Sequence, residues 1–303
     1  MQPILPAVLL EFSSTPFWMS SAGVALLVIA LAAAKNDIIL ARGLDKVVAL
    51  TNVCFAIALA MFGAEHLSGG IPLVMVPSYM PWRLFWLYFV GFALVAASLS
   101  MATKILVRWS GLLAGIMMFL FVAMLHFPGA MRAGGRIPWT VVIREMSFGG
   151  GAWVLAGTAM RGSGEERGKN LIAVGRVCIG VAAVVFGVLH FLHPLALPGV
   201  PLQKEMPTWL PARPFIDYLT GAFLIAGGAC FLLARKTRIA AAYLGAWILL
   251  LVAVIYGPVL IGAMADPRNG AKVEGLNYFA DTLLFSGVIL SLARAAVKYQ
   301  VKR

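Results

Sequence analysis

The chain has 303 residues, of which 61% are hydrophobic and only 12% are charged, and its mean hydropathy is +0.92. Soluble domains are typically about 25% charged, so this composition excludes a water-soluble globular protein and indicates a polytopic integral membrane protein whose solvent is lipid. The net charge is +12, but basic residues gather in the loops of membrane proteins, so we interpret the charge as an orientation signal and expect no nucleic-acid partner.

Nine apolar stretches are each long enough to cross about 30 Å of hydrocarbon at about 1.5 Å of helix rise per residue. A leading helix is predicted at about 17–34. Two sets of four helices follow, the first at about 47–67, 82–102, 107–128 and 139–160, and the second at about 171–192, 213–234, 239–263 and 275–296. The predicted fold class is all-α: a polytopic membrane protein with nine transmembrane helices, arranged as one leading helix plus two parallel-repeat four-helix bundles.

The two sets of helices repeat one another in sequence. FGAEH at 62–66 matches FGVLH at 186–190, and VPSYMPWRLFWLYFVG at 76–91 matches MPTWLPARPFIDYLTG at 206–221. Because prolines and arginines stay in register, chance similarity between apolar segments does not explain the match. Each unit has four predicted spans, an even number, so both units are expected to share one orientation in the membrane.

The predicted boundaries follow from this repeat. They are 1–46 for an N-terminal segment with the leading helix, 47–160 for the first four-helix unit, 161–170 for a cytoplasmic linker, and 171–303 for the second unit and a C-terminal tail. The first 14 residues contain no lysine or arginine, so we expect no cleaved signal peptide. The three cysteines lie in apolar runs without metal-binding spacing, so we expect them to be small buried hydrophobic residues.

The basic residues predict the orientation. Sixteen of the 24 lysines and arginines fall on one side of the nine predicted helices, and the others fall on the opposite side. The richer side is expected to be cytoplasmic. We therefore expect an integral protein of a bacterial inner membrane, with its N-terminus outside and its C-terminus in the cytoplasm.

Polar side chains gather at the predicted outer ends of both units. Ionisable residues inside a membrane are costly and usually face a bundle interior or a wet cavity, so the pattern predicts two related outward-facing pockets. Glu145 and Asp281, at matching positions in the two last helices, are the candidate catalytic residues that exchange protons. As an alternative, Glu145 forms a purely structural ion pair with Arg83 or Arg144. The candidate substrate-binding residues are His66, Arg83, Tyr88 and His126 in the first unit and His190, Arg213, Asp217, Tyr218 and Tyr256 in the second.

A metal site is a weaker alternative. His190 and His193 are three residues apart on one predicted helix face, and together with Asp217 or Asp281 they could ligate a metal. His66 and His190 occupy equivalent positions and could ligate a haem axially. The first unit has no second histidine next to His66, and the chain has no HExxH motif, so neither haem nor metal is expected.

Two proline-rich segments join the first and second helices of the two units: the first linker (67–81) and the second linker (192–211). Both are apolar and too rich in proline for a continuous helix. Such a segment either covers an outer pocket as a lid, which suits an amphipathic ligand such as a quinone, or plugs the bundle. We expect only the second pocket to bind the physiological ligand, because it has more convergent polar groups and the longer linker.

The four-helix unit resembles the DoxX-like superfamily of membrane proteins. The similarity rests on FG-x-x-H ending the first helix, P-x-x-x-P-x-R entering the second, a glycine-bearing third helix, and an acid followed by glycine in the fourth. It covers about 47–160 and 171–296. The resemblance implies a small membrane module, associated in some members with quinone-linked oxidation of sulfur compounds, in others with membrane redox partners, and in eukaryotic relatives with cargo transport.

The function expected from these observations is an integral membrane subunit or enzyme of a quinone-linked redox system. Quinone is the candidate cofactor, and a membrane or periplasmic redox protein is the candidate partner. Two alternatives stay open: a non-enzymatic membrane scaffold or assembly factor, and a small-molecule transporter, which the parallel repeats suggest.

Overall fold

The computed structural model describes residues 14–162 and 165–296, and the regular structure of these residues is helical apart from one isolated β-bridge between Ala196 and Glu205. The all-α class predicted from the sequence is confirmed. Within the described residues, eight helices are long and apolar enough to cross a membrane. The chain is therefore an integral membrane protein surrounded by lipid.

The described ranges contain long helices and several short ones. In chain order they are α1 (Thr15–Leu40), α2 (Asp45–Val48), α3 (Thr51–Leu67), α4 (Arg83–Thr103), α5 (Val107–Phe121), α6 (Phe127–Ala133), α7 (Arg136–Gly162), α8 (Arg167–Leu192), α9 (Arg213–Leu232), α10 (Thr237–Leu251), α11 (Gly257–Met264) and α12 (Asn269–Ala295). A π-helical turn at Val122–His126 joins α5 to α6, and another at Val252–Tyr256 joins α10 to α11, so each pair forms one continuous rod.

The helix α7 is long, with 27 residues, but it is not among the eight apolar spans. Arg144 and Glu145 lie near its middle and three consecutive glycines follow at 149–151, and both features lower its hydropathy. The number of nine crossings therefore stays a prediction.

Successive long helices run in opposite directions, so the bundle has two distinct ends. At one end α1 begins beside the first linker, where the Thr15 hydroxyl donates to the Ser68 carbonyl at 3.4 Å. We call this the linker end. At the other end Lys104 pairs with Asp37 at 2.8 Å, and we call this the basic end, because most of the lysines and arginines within 14–162 and 165–296 lie there.

The two predicted units are interleaved and do not form two separate bundles. The extensive contacts of α3 are to α1, α4 and α12, and those of α8 are to α7 and α9. The first helix of each predicted unit therefore packs against the last helix of the other. The helix α12 packs against α3, α7 and α10 and is the most thoroughly buried of the eight apolar spans.

Ion pairs and close helix packing also join helices of the first predicted unit to helices of the second. At the basic end, Arg108 of α5 pairs with Glu165 just before α8, and Arg238 of α10 pairs with Asp45 just before α3. Glycines permit the close approach of the helices: a Cβ atom at Gly175 of α8 would lie 2.2 Å from the Gly150 carbonyl oxygen of α7. Only glycine fits at such a distance, so this contact fixes the separation of α7 and α8 near the middle of the bundle.

Irregular backbone features recur 130 residues apart. Three non-glycine residues with left-handed φ are Trp82, Lys104 and Leu106, and three more are Ala212, Ala234 and Lys236. The two π-helical turns differ by the same number of positions. Since a left-handed φ is uncommon for residues with a side chain, this recurrence agrees with the offset between the sequence motifs.

Candidate functional site

Two candidate catalytic carboxylates meet one guanidinium between α7 and α12. Arg144 donates to Asp281 at 2.6 Å and to Glu145 at 2.8 Å. Glu145 is 7% exposed and Asp281 is 5% exposed. The residues that occupy matching positions in the two units are thus joined by a single cation, and the acid–arginine partner of Glu145 is Arg144, not Arg83.

A third carboxylate completes this cluster. Glu65 of α3 is 5% exposed, accepts a hydrogen bond from the Asn277 side-chain amide at 3.0 Å, and lies close enough to Asp281 to interact with it electrostatically. Three carboxylates therefore face one guanidinium in a low-dielectric environment. A buried charge without a partner costs several kcal/mol, so this carboxylate cluster (Glu65, Glu145 and Asp281 around Arg144) favours binding a proton or a ligand that donates hydrogen bonds.

A cavity of about 410 Å³ opens beside the carboxylate cluster, between α7 and α12. Arg144 and Asp281 are its deepest lining residues, because they lie furthest along the two helices from the linker end. The remaining lining is partly apolar and partly polar: Ile137, Val141, Leu202, Gln203, Gly270, Val273, Glu274, Asn277 and Tyr278. The cavity is therefore amphipathic, with charged groups at its inner end.

This position differs from the prediction of one pocket beneath each linker. The helices α7 and α12 touch near their middle, where a Cβ atom at Gly151 would lie 2.5 Å from a Val288 methyl carbon. They separate from that point toward the linker end, and the space between them is the cavity. The cavity is thus shared by both predicted units.

The second linker is a plug, which was the alternative to a lid. Its residues Ala196, Leu197, Val200, Leu202 and Met206 are buried. Three of the five polar residues predicted to bind a ligand in the second unit, His190, Arg213 and Tyr256, bind the linker backbone instead. The expectation of an open second pocket is therefore wrong, because the linker occupies the space between the helices.

Two hydrogen bonds hold the centre of this plug. The Tyr256 hydroxyl donates to the Pro198 carbonyl at 2.9 Å, and the Gly199 N–H donates to His190 Nε2 at 3.0 Å. Gly199 has a φ of +111°, which side-chain-bearing residues rarely adopt. The turn at 198–199 therefore depends on glycine.

His190 and Asp217 form a fully buried pair beneath the plug. His190 Nδ1 lies 3.0 Å from Asp217 Oδ1, and both side chains are 0% exposed, although this approach does not have the direction of a hydrogen bond. Because the Gly199 N–H can only donate, His190 Nε2 accepts and the ring proton of the neutral imidazole lies on Nδ1, toward Asp217. Nε2 accepts from the linker backbone and Nδ1 faces Asp217, so neither ring nitrogen is directed into open space where a metal or a haem could bind.

The other half of the proposed histidine pair points elsewhere. His193 directly follows α8 and lines a smaller cavity with residues of α7 and α8. Among the described residues, no group of three or more His, Cys, Asp or Glu side chains is placed to hold a metal ion. The arrangement gives the His190–His193 metal hypothesis no support.

The two candidate arginines anchor the linkers. Arg83 donates to the carbonyls of Leu73 at 2.5 Å and Val76 at 2.8 Å, and Arg213 donates to the Met206 carbonyl at 3.3 Å. Each arginine thus holds the segment that precedes its own helix. Neither lines the cavity between α7 and α12.

The remaining candidates do not converge on one site. Tyr88 and Tyr218 are each 42% exposed on the outside of the bundle, where Tyr218 stacks on Phe191. The ring of His66 donates from Nδ1 to the Phe62 carbonyl of its own helix at 2.8 Å. His126 is half-buried in the first π-helical turn.

Sequence reasoning missed Glu65, Asn277 and Tyr278 as site residues. Glu65 directly precedes His66 in the FGAEH motif, so the motif carried a signal for it. Asn277 and Tyr278 belong to no motif, and they become site residues only because α12 packs against α3 and α7.

The fold and the carboxylate cluster define an all-helical integral membrane protein with an amphipathic cavity between its two interleaved halves. Comparison of the chain with protein families, with curated proteins and with solved structures gives no match.

Proposed function

We propose that the protein is a membrane subunit or enzyme of a quinone-linked redox system, and that it binds the quinone head group in the cavity between α7 and α12. The observation that carries this proposal is the amphipathic cavity itself: apolar walls lead to Arg144 and Asp281 at its inner end. Ligand pockets of this volume are typically apolar with a few convergent polar groups. The resemblance to the DoxX-like superfamily agrees with this chemistry.

The proposal assigns roles to the apolar walls of the cavity and to the charged groups of the carboxylate cluster. Ile137, Val141 and Val273 pack against the ring and the start of the tail. Arg144 Nε is buried and has no hydrogen-bond partner among the described residues, so it can donate to a quinone carbonyl. When a quinol is oxidised it releases two protons and two electrons; Glu145 and Asp281 accept one proton each, and a membrane or periplasmic redox protein takes the electrons.

The proposal includes the arrangement in the membrane. The linker end faces the outside and the basic end faces the cytoplasm of a bacterial inner membrane, so the N-terminus is outside and the C-terminus inside. The chain crosses the membrane nine times and consists of two DoxX-like units after a leading helix. The recurrence of left-handed residues and π-helical turns at one offset supports the duplication.

The test combines ligand identification with a blocked cavity. The protein is purified in mild detergent, its lipid extract is analysed for quinones, and binding of a short-chain quinone and oxidation of its quinol are measured with candidate partner proteins. Val273→Trp fills the cavity and is expected to weaken quinone binding at least about tenfold, the effect of roughly 1.4 kcal/mol. Val254→Trp is the matched control, because Val254 is 49% exposed to lipid.

The possible results distinguish a wrong binding site from a wrong function. Binding that is equal in wild type and Val273→Trp would place the quinone elsewhere and contradict the assigned cavity. If no quinone copurifies and no quinol is oxidised with any partner, the redox function itself is wrong.

A scaffold or assembly factor is the second candidate, and the plugged second unit favours it. A segment that fills its own pocket with hydrogen-bonded backbone serves structure. In that case Glu145→Gln and Asp281→Asn lower stability without changing any redox activity. Measuring melting temperature and quinol oxidation for both variants distinguishes the two functions.

A further inference from the structure

A second cleft lies on a different face of α7 from the carboxylate cluster. It has a volume of about 230 Å³ and is formed by Arg136, Trp139, Thr140 and Ile143 of α7, by Val185 and Leu189 of α8, and by His193 directly after α8. In each set, every member lies three or four residues from another member, so the set shares one helix face. The helices touch at Gly150 and Gly175 and separate toward the linker end, where the cleft opens.

The cleft is apolar inside and basic at its mouth. Ile143, Val185 and Leu189 lie deeper in the bundle than Arg136 and His193, which are nearest to the linker end. Trp139 is 38% exposed at the rim. Tryptophan at a helix end is typical of the level at which lipid head groups meet the hydrocarbon.

Arg136 brings a positive charge that has no counter-ion. Its guanidinium donates to the carbonyls of Pro201 at 2.6 Å and Leu202 at 3.1 Å, both of which are neutral. Among the described residues, no carboxylate forms an ion pair with it. A fixed cation above an apolar cleft complements a ligand with an anionic head and an apolar chain.

We propose that this cleft binds one phospholipid, with its phosphate on Arg136 and the beginning of one acyl chain between Ile143, Val185 and Leu189. A guanidinium matches the geometry of phosphate oxygens, and the two carbonyl contacts hold its orientation. The site is independent of the quinone proposal, because it lies on another face of α7. The same arginine holds the second linker, so the bound lipid stabilises the segment that walls the central cavity.

The experiment measures lipid retention on the intact protein by native mass spectrometry after delipidation and titration with phosphatidylglycerol. Arg136→Gln removes the charge and is expected to lower the occupancy of the first bound lipid about fivefold, as a lost contact of about 1 kcal/mol predicts. Leu189→Trp fills the cleft, keeps Arg136 and is expected to lower the occupancy at least as much.

Matched controls are available on the same elements. Arg132→Gln removes an exposed arginine at the same end of the bundle, and Leu192→Trp adds the same bulk at an exposed position of α8. Both controls are expected to retain the lipid as the wild type does. Melting temperature reports folding, and if Arg136→Gln fails to fold, the Leu189→Trp and Leu192→Trp pair decides alone.

Three results would overturn the proposal. The first is equal lipid retention in Leu189→Trp and Leu192→Trp. The second is full displacement of the lipid by millimolar inorganic phosphate, which would identify a site for free anions. The third is a dimer without bound lipid that Leu189→Trp dissociates, which would assign the cleft to a second copy of the chain.

Discussion

Arg144 is the only cation in contact with the carboxylates of Glu145 and Asp281 among the described residues, and its side chain is 15% exposed. Breaking a buried ion pair by removing one partner usually costs about 3–5 kcal/mol, because the other charge is left without compensation. The three residues therefore behave as a unit, and a substitution at one of them changes the effect of a substitution at another.

We expect Arg144→Gln to lower the free energy of unfolding by about 3 kcal/mol. Adding Asp281→Asn should recover on the order of 1 kcal/mol, since one uncompensated charge is then removed as well. Thermal unfolding in detergent measures both, with Arg132→Gln as the exposed control. Strictly additive effects of the two substitutions would show that the 2.6 Å contact contributes nothing to stability.

The turn at 198–199 of the second linker also depends on a single residue, Gly199. Alanine there would need a φ near +111°, and its Cβ atom would lie 3.3 Å from a Thr282 methyl carbon. We expect Gly199→Ala to destabilise the protein by about 1–3 kcal/mol and to speed hydrogen exchange within 196–206. Gly262→Ala is the control, because open space surrounds that helical glycine; similar effects in both variants would contradict a strained turn at 199.

At the scale of elements, side chains that donate to the carbonyls of the second linker or accept from its amides help to hold it in place. Tyr256→Phe removes the hydroxyl that donates to the Pro198 carbonyl. We expect a loss of about 1 kcal/mol and faster proteolysis of the linker. Tyr243→Phe, at a tyrosine that is 65% exposed to lipid, should change neither quantity. An unchanged cleavage rate in Tyr256→Phe would mean that other contacts retain the plug.

The interface between α7 and α8 depends on small residues. A Cβ atom at Gly175 would overlap the Gly150 carbonyl oxygen, so Gly175→Ala has to push the helices apart. We expect a loss of at least about 1–3 kcal/mol in thermal unfolding, whereas Gly129→Ala, whose Cβ atom meets nothing within 4 Å, should be neutral. If Gly175→Ala has the same melting temperature as the wild type, α7 and α8 are not in contact at the level of Gly175.

Composition and hydrophobic runs predicted most helices, but they did not predict the π-helical turns. The predicted helix at 107–128 continues to Ala133 as α5 and α6, with the irregular turn between them. Pro128 lacks an N–H group, so the Met124 carbonyl one turn earlier has no α-helical donor, and it accepts instead from the Tyr79 hydroxyl at 3.5 Å. The proline was visible in the sequence, whereas the turn geometry depends on the surrounding contacts.

The sequence predicted two residues of the candidate site but not the way in which they come together. Glu145 and Asp281 were found because repeated motifs expose residues at matching positions. Their meeting at Arg144 was not predicted, because a hydrophobic pattern shows which face of a helix is buried but not which helix covers it. With two similar units, a first helix has two last helices available to it, and the sequence does not choose between them.

At the scale of the whole molecule, chain connection explains that choice. Four residues lie between Gly162 and Arg167, and so short a connection makes α7 and α8 antiparallel neighbours. As a result, α7 covers the face of α8 that would pack against α12 if the second unit formed a separate bundle. The equivalent face of α3 remains free for α12, and the result is one bundle with the carboxylate cluster at the crossing of its two halves.

Interleaving predicts how the protein behaves when it is cut within 163–164. Each half, 1–163 or 164–303, would expose one face that is buried against the other half: α7 loses α8, and α12 loses α3 and α7. Expressed alone, each half is expected to aggregate or to be degraded, because the Gly150–Gly175 contact and the Glu65–Asn277 hydrogen bond have no partner.

Coexpressed, the halves should copurify as one complex, with the Arg144–Asp281 ion pair re-formed between two chains. Affinity capture through a tag on one half, followed by size-exclusion chromatography, measures this. Arg144→Gln in the first half should reduce capture, and Arg132→Gln should not. A stable, monodisperse four-helix bundle formed by the second half alone would show that the predicted units fold independently and that the exchange of helices is wrong.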